Sequence, residues 1–290
     1  MTQNILYLNG EFVPASEAKV SVLDRGFIFG DGVYEVIPAY GGNLFRLKEH
    51  LKRLENNLIQ VRIPPPLSND KWYEILGELV RTNGGGDLSV YLQVTRGIAA
   101  RDHAFPLDVQ PTVMATTTPL KPVDSELLSN GVGVITMDDF RWQYCNIKSI
   151  ALLPNVLARQ EAADSNAAEA IFIRDGVVTE GAASNVFVVK NREIITPAKS
   201  QYLLPGITRD LVLELAEENR IACREGDITQ TDLEAADEIW LTSSTKEILP
   251  VTKLNGSSVG SGYPGPLWSR LLALYQDYKR LFRDRGEDAA

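Results

Sequence analysis

Two residues of this sequence, Lys148 and Glu180, have side chains suited to covalent and acid–base chemistry. A lysine can form a Schiff base with an aldehyde, and an acid can keep a ring nitrogen protonated so that the ring absorbs electrons. Apolar residues surround the lysine, namely Ile147, Ile150, Leu152 and Leu153. In such a setting a free ammonium is costly, whereas an imine or a lysine of lowered pKa is tolerated.

Taken alone, neither residue is decisive. Most lysines are solvated surface charges, and that interpretation applies to Lys148 as well. Glu180 follows Asp175 and Gly176, a hairpin signal, so it is also consistent with an ordinary turn residue. A catalytic role for Lys148 and Glu180 therefore depends on the other motifs of the sequence.

A candidate anion site lies further along the chain, where Pro205 and Gly206 precede an amphipathic helix. Free backbone N–H groups and the positive end of this helix would face one point, which favours a bound phosphate there. A plain helix start is the alternative. Residues 241–245 carry hydroxyls, including that of Ser244, after an apolar strand and could add phosphate donors or form a polar turn.

Two polar residues lie on the helix predicted over residues 45–58. Arg53 lies beside the apolar stripe of that helix, where a guanidinium could bind a phosphate through two hydrogen bonds, unless it is a surface cation. His50 is predicted to be structural, on the exposed edge of the helix.

Hydrophobic periodicity and turn residues predict an α+β chain. Residues 6–13 form a hairpin around Asn9 and Gly10. Further helices are predicted over 72–80, 154–163, 208–219 and 268–282, and strands over 90–95, 111–118, 132–136, 169–174, 186–189, 193–196 and 238–242. Residues 255–265 are predicted to be a Gly- and Ser-rich loop. Two prolines within residues 119–124 predict an interdomain linker, with domains over 1–118 and 125–290.

Composition limits the classes of partner. The net charge is −9 and the pI is about 4.9, which argues against a nucleic-acid partner. Cys145 and Cys223 are the two cysteines, and they have no spacing typical of a disulfide framework or a metal site. No signal peptide or membrane span is recognised, so we expect a cytoplasmic protein without a membrane partner.

Several segments together resemble the class IV, fold type IV aminotransferases: 24–35, 45–54, 146–149, 179–187, 203–210 and 241–245. The resemblance implies a small N-terminal α/β domain, a larger barrel-like C-terminal domain of mixed α/β structure, and pyridoxal 5'-phosphate as the cofactor. It makes Lys148 the catalytic Schiff-base lysine and Glu180 the partner of the pyridine nitrogen. The residues it assigns to the cofactor phosphate are Arg53, Ile207, Thr208 and Ser244, and Tyr34 becomes an active-site wall residue. Ala182 and Ala183 depart from the serine run that the D-amino acid aminotransferases of this family commonly carry after the Glu-Gly pair.

The loop over residues 94–106 resembles that of the D-amino acid aminotransferases. There an Arg and a His two residues apart, with a tyrosine matching Tyr34, hold the substrate α-carboxylate. Arg101 and His103 suit that role, because a guanidinium and an imidazole N–H both bind carboxylates. A local hydrogen bond within the loop is the alternative for His103.

The predicted activity is exchange of the amino group between a D-amino acid, such as D-alanine, and a 2-oxo acid, such as 2-oxoglutarate. The resemblance also implies a homodimer in which Arg101 and His103 serve the partner's cofactor. Alternatives of the same fold are a branched-chain L-amino acid aminotransferase, an (R)-amine transaminase and an aminodeoxychorismate lyase. The non-enzymatic alternative is a binding module, against which Lys148 and Glu180 both argue.

Overall fold

The structure is a computed structural model that describes residues 4–286. Two compact units account for these residues. The first contains the described residues up to Lys121, the segment Ile147–Leu152 and the residues from Lys279 on, and the second contains Pro122–Asn146 and Leu153–Tyr278. The linker at 119–124 and the domain ranges 1–118 and 125–290 stay predictions. The outermost residues of the two predicted domains, 1–3 and 287–290, lie outside the described residues.

The first unit is built on a six-stranded antiparallel sheet in the order β2-β1-β6-β5-β3-β4. Its strands are β1 (Ile5–Leu8), β2 (Glu11–Pro14), β3 (Gly32–Tyr40), β4 (Asn43–Leu44), β5 (Leu88–Thr95) and β6 (Thr112–Pro119). Its helices are α1 (Arg25–Phe29), α2 (Leu47–Gln60) and α3 (Asn69–Thr82). The leucines at 47, 51, 54 and 58 form one buried stripe of α2 in the core of this unit, as predicted.

The second unit is built on a nine-stranded mixed sheet in the order β12-β11-β10-β13-β14-β7-β8-β9, with β15 on β14. Its strands are β7 (Val132–Asp138), β8 (Glu169–Arg174), β9 (Val177–Gly181), β10 (Asn185–Lys190), β11 (Glu193–Thr196), β12 (Cys223–Glu225), β13 (Glu238–Ser243), β14 (Glu247–Leu254) and β15 (Ser257–Ser258). Its helices are α4 (Ser125–Asn130), α5 (Leu153–Asp164), α6 (Ile207–Glu218), α7 (Gln230–Glu234) and most of α8 (Pro266–Arg285).

Most predicted elements are present within a few residues of their predicted ends. Three strands of five or more residues, β3, β9 and β14, were not predicted. The prediction of a loop without a strand over residues 255–265 was wrong, because β15 pairs there with β14. Among the described residues, no helix is long and apolar enough to cross a membrane.

Candidate active site

In the first unit, the segment that carries Lys148 is joined to β3 through the backbone. The amide of Tyr34 donates a 3.0 Å hydrogen bond to the carbonyl of Lys148, and Ser149 forms a bridge with Val33. The ammonium of Lys148 lies 4.3 Å from the centre of the Tyr34 ring, at cation–π distance. The predicted apolar setting is correct for Ile147, which is buried, and wrong for Leu153, which is 68% exposed.

Arg53 and His50 are both buried on α2 against a carboxylate of β3. Arg53 binds Glu35 through two hydrogen bonds, from Nε to Oε1 at 2.8 Å and from Nη2 to Oε2 at 2.7 Å. Nδ1 of His50 lies 2.7 Å from the same Oε2. The prediction that His50 lies on the exposed edge of its helix was wrong, because its side chain is 1% exposed. The surface-cation alternative for Arg53 is likewise excluded.

The charges of this cluster follow from its burial. Burial opposes ionisation of Glu35, but the charge and hydrogen bonds of Arg53 outweigh it and lower the pKa of Glu35 to about 2. Burial also lowers the pKa of His50, and the charges of Arg53 and Lys148 act in the same direction. Because Glu35 is ionised and His50 neutral at pH 7, Nδ1 of His50 carries the hydrogen that the carboxylate accepts.

Arg101 and His103 lie exposed on the loop that joins β5 to β6. The guanidinium carbon of Arg101 lies 5.4 Å from the centre of the Phe29 ring, and the His103 ring lies 5.4 Å from the same centre. One phenyl ring thus contacts both residues predicted to hold a carboxylate. Within the described part of the chain, no hydrogen bond or ion pair occupies the guanidinium of Arg101.

In the second unit, Glu180 is the penultimate residue of β9, and its carboxylate is buried. It accepts hydrogen bonds from Nη1 of Arg141 at 2.6 Å and from the amide of Leu204 at 2.9 Å. Burial raises the pKa of Glu180 to about 7, although the charge of Arg141 acts in the opposite direction. A carboxyl group with this pKa can hold or release a proton near neutral pH, so the turn-residue alternative does not describe it.

Asn185 connects Glu180 to the start of α6. Its amide donates a 2.8 Å hydrogen bond to the carbonyl of Leu204 and lies 3.5 Å from the Glu180 carboxylate. A Cβ on Gly206 would meet Oδ1 of Asn185 at 2.0 Å, so the chain before α6 packs directly on this amide. Asn185 is also the strand partner of Thr242 at the end of β13. The start of α6, Glu180 and the end of β13 therefore share one neighbour.

The predicted phosphate segments of the second unit have the features of an anion site. Gly206 is the N-cap of α6 and has no side chain to bond the first amides of the helix, which begins at Ile207 and includes buried Thr208. Ser244 directly follows β13 and is half-buried. Thr242 Oγ1 and Ser184 Oγ are buried and have no hydrogen-bond partner among the described residues. Unsatisfied hydroxyls beside an uncapped helix fit a polar, anionic ligand.

Ala182 and Ala183, the two alanines that follow Glu180 and Gly181, have different surroundings. Ala182 packs in an apolar cluster with Ala158, Ala170 and Phe172. The amide of Ala183 donates a 3.2 Å hydrogen bond to the buried Glu169. The chain here is held by packing and by a backbone contact, without side-chain hydroxyls.

The polar partners of the predicted residues were not predicted from the sequence. They are Glu35, Asp139, Arg141 and Asn185, of which Glu35 lies at the end of the segment 24–35 and Arg141 lies a few residues before Lys148. The structure brings Lys148 to Tyr34, Arg101 to His103, and Glu180 to the start of α6. Arg53 lies beside Glu35 and His50. A basic cofactor nitrogen suits Glu180, and an anionic phosphate suits the α6 amides, so these residues of the second unit fit pyridoxal 5'-phosphate.

Comparison with known proteins identifies aminotransferases as relatives of this chain. A D-alanine aminotransferase of Bacillus licheniformis is 45% identical over 269 residues, covering 93% of this chain and 95% of the relative. One from Staphylococcus haemolyticus is 39% identical over 94% of this chain and 97% of its own length.

A solved structure shares the fold of this chain. The branched-chain amino acid aminotransferase of Escherichia coli superposes with a TM-score of 0.88 at 27% identity, covering 99% of this chain and 97% of that one. The predicted family and fold type are thereby confirmed. Residues 32–254 match the family Amino-transferase class IV, and the chain belongs to that family.

Proposed function

We propose that this protein exchanges the amino group between a D-amino acid, such as D-alanine, and a 2-oxo acid, such as 2-oxoglutarate, with pyridoxal 5'-phosphate as cofactor. The predicted reaction class and cofactor are confirmed by the family match and by D-alanine aminotransferases at 39% to 45% identity over nearly the whole chain. Among the alternatives, a branched-chain activity has support from solved structures at 27% to 29% identity.

When bound, the cofactor supplies an aldehyde for amine exchange and a ring that absorbs electrons from the substrate carbon. Arg53 and the α6 amides at Ile207 and Thr208 bind its phosphate in this proposal, with the hydroxyl of Ser244 as a further donor. The buried carboxylate of Glu35 supports this role for Arg53, because its two hydrogen bonds fix the guanidinium in one orientation.

Lys148 and Glu180 handle protons in this proposal. The Nζ atom of Lys148 takes the proton from the substrate Cα, and its position over the Tyr34 ring supports a fixed location for this base. Glu180 keeps a proton on the pyridine nitrogen. The hydrogen bonds to its buried carboxylate from Arg141 and from the amide of Leu204 support that role, because they hold the carboxylate in one position.

The single observation that carries the D-amino acid assignment is the placement of Arg101 and His103 on one ring, that of Phe29. Both side chains are exposed and contact the same ring, which suits a two-point contact to a substrate α-carboxylate. Tyr34 completes the substrate site in this proposal, on the strand that also meets the Lys148 segment.

We also propose that the chain acts as a homodimer in the cytoplasm, with no nucleic-acid or membrane partner. Large apolar side chains of the first unit support a second copy, because Val22, Phe27 and Leu107 are 70%, 76% and 91% exposed. Both cysteines, Cys145 and Cys223, are free, as suits a reducing compartment. Light scattering at micromolar concentration measures the mass, and a monomer at all concentrations would contradict the dimer.

A substrate panel tests the proposed reaction. The purified protein with cofactor is given D-alanine, L-leucine or a small (R)-amine, each with 2-oxoglutarate, and product is measured. D-alanine is expected to react, and Lys148→Ala is expected to abolish turnover, whereas Lys52→Ala on the exposed face of α2 is a matched control. A preference for L-leucine or for the amine would replace the proposal by the corresponding alternative.

Arg101→Ala tests the carboxylate assignment. A charge-assisted two-point contact contributes roughly 2 to 4 kcal/mol, so kcat/KM for D-alanine should fall by about 30-fold to 1,000-fold. An amine without a carboxylate should lose far less. Equal losses on both substrates would mean that Arg101 supports the fold and does not contact the carboxylate.

A further inference from the structure

The loop that carries Arg101 and His103 is long for a hairpin connection. β5 and β6 pair up to Thr95 and Thr112, so the loop comprises residues 96–111. Loops of this length without regular structure are uncommon in compact domains and are usually functional or mobile. Its central residues are exposed, yet its backbone is held at several points by side chains from outside the loop.

Arg25 holds the backbone of the loop beside both predicted carboxylate-binding residues. Its Nη1 atom donates hydrogen bonds to the carbonyls of Asp102 at 2.5 Å and Ala104 at 3.4 Å, and Nη2 donates to the carbonyl of His103 at 3.4 Å. The Arg25 side chain is buried, although it lies at the start of a five-residue helix. One guanidinium thus binds three consecutive carbonyls immediately after Arg101.

Asp31 fixes the orientation of Arg25. Its Oδ2 accepts 2.8 Å hydrogen bonds from Nε of Arg25 and from Nε of Arg96, and its Oδ1 accepts one from Nη2 of Arg96 at 3.0 Å. Burial opposes ionisation of Asp31, but these two arginines outweigh it and lower its pKa. Asp31 is therefore ionised at neutral pH, and its carboxylate binds the buried guanidinium groups of Arg25 and Arg96.

Arg96 and two aromatic rings extend this arrangement. Arg96 binds the carbonyls of Val61 and Arg62, and its guanidinium carbon lies 3.7 Å from the centre of the Phe105 ring. Phe29 lies 4.8 Å from the guanidinium carbon of Arg25, in addition to its contacts with Arg101 and His103. The loop is thereby held through its carbonyls by Arg25 and through its side chains by Phe29.

The base of the loop permits no side chain. Gly97 has φ +106, and a Cβ there would meet the carbonyl oxygen of Gln110 at 2.0 Å. The two ends of the loop therefore lie in direct contact. Beyond that contact, the hydrogen bonds from Arg25 hold the backbone next to Arg101.

From these contacts we infer that Arg25, held in place by Asp31, is a positioning residue for substrate recognition: it orients the loop so that Arg101 and His103 present their donors to one carboxylate. The inference rests on the proposed function, because it assigns to Arg25 an effect that acts only through those two residues. Neither Arg25 nor Asp31 has to contact the substrate.

A double-mutant cycle tests the inference. Arg25→Gln is measured in the wild-type background and in the Arg101→Ala/His103→Ala background, with D-alanine as substrate. In the wild-type background kcat/KM is expected to fall by about 10- to 100-fold, mainly through KM, because small displacements of binding groups have effects of that size. In the double-variant background the further loss is expected to stay within about twofold.

Two further variants keep the test informative if Arg25→Gln does not fold. Asp31→Asn should reproduce the pattern, and Arg25→Lys should retain the charge without restoring activity, because an ammonium cannot bind three carbonyls as a guanidinium does. Glu78→Gln, at an exposed ion pair of α3, serves as the control. Hydrogen exchange of residues 98–110, measured by mass spectrometry, should accelerate in Arg25→Gln and Asp31→Asn.

The outcomes separate the inference from the proposed function. If the wild type does not transaminate D-alanine, or if Arg101→Ala changes nothing, the proposed function has failed and the inference fails with it. If both of those results are as proposed, but Arg25→Gln lowers kcat/KM equally in the two backgrounds or leaves loop exchange unchanged, only the positioning role of Arg25 is overturned.

Discussion

Nη1 of Arg141 lies 2.6 Å from Oε1 of Glu180, and both side chains are buried. The same guanidinium binds both oxygens of Asp139, from Nε at 2.9 Å and from Nη2 at 2.9 Å. A single arginine is thus shared by two buried carboxylates, which explains why the pKa of Glu180 stays raised despite the ion pair. Nη2 of Arg174 lies 3.1 Å from Oδ2 of Asp139 and supplies a second positive charge beside that carboxylate. The charges of these four side chains also act on the thiol of Cys145.

Replacing Arg141 by glutamine should destabilise the protein strongly. Two buried carboxylates would lose their main partner, and breaking a buried ion pair costs about 3 to 5 kcal/mol of unfolding free energy. The loss should be smaller at low pH, because Glu180 then carries a proton in both proteins. Urea unfolding at two pH values measures this. Arg174→Gln is the matched control, since it touches Asp139 but not Glu180, and an equal loss in both variants would contradict the special role of Arg141.

Replacing Glu180 by glutamine should change how stability depends on pH. The ordinary pKa of this carboxyl is 4.5, and burial raises it to about 7 in the folded protein. Because the folded value is the higher one, the stabilising effect of the proton is fully present below the unfolded pKa and is lost as pH rises through the folded pKa. Glutamine is neutral throughout, so the variant does not undergo this loss.

The unfolding free energy of Glu180→Gln relative to wild type should therefore rise by about 3 kcal/mol between roughly pH 4.5 and pH 8. Urea unfolding of the cofactor-free protein at a series of pH values measures the difference. A difference that is flat with pH, or that falls as pH rises, would show that Glu180 is already ionised at low pH.

The sequence predicted those parts of the site whose signals are local. The start of α6 follows from Pro205-Gly206 and from the apolar spacing after it, and Glu180 was found from its own segment. The ionic partners lie far away in sequence, 39 residues for Arg141 and Glu180 and 18 for Arg53 and Glu35, so their pairing depends on the tertiary structure.

Two errors have local causes. β3 is almost continuously buried and contains Pro38, so it shows neither the alternation of a half-exposed strand nor the usual composition of a central one. His50 lies three residues after Leu47 and four before Leu54, so helical spacing places it on the buried stripe. Glu35 supplies the hydrogen-bond partner that makes the burial of this polar ring possible.

Glu35→Gln should weaken binding of pyridoxal 5'-phosphate more than binding of pyridoxal, which has no phosphate. Glu35 fixes the guanidinium of Arg53 through two hydrogen bonds, and Arg53 is proposed to bind the phosphate. Loss of one charge-assisted contact corresponds to about a tenfold or greater loss of affinity. Equilibrium dialysis measures both dissociation constants. Glu55→Gln on the exposed face of α2 is the control, and equal losses for the two compounds would remove Arg53 from the phosphate site.

Gly206→Ala should disturb the phosphate segment without altering any group that contacts the substrate. The added Cβ would lie 2.0 Å from Oδ1 of Asn185, so that buried amide has to move and release the carbonyl of Leu204. Overpacking of this kind costs about 1 to 3 kcal/mol of unfolding free energy. Inorganic phosphate and pyridoxal 5'-phosphate should both bind more weakly, because the first amides of α6 shift with the chain.

Gly133→Ala provides the matched control for Gly206→Ala in the same unit. Its Cβ would meet only Lys253 Cβ, at 3.8 Å, an ordinary contact, so stability and phosphate binding should stay close to wild type. Titration calorimetry with phosphate and urea unfolding are run on both variants. If Gly206→Ala loses stability but binds phosphate as the wild type does, the start of α6 packs against Asn185 for structural reasons alone, and the phosphate has to be held elsewhere.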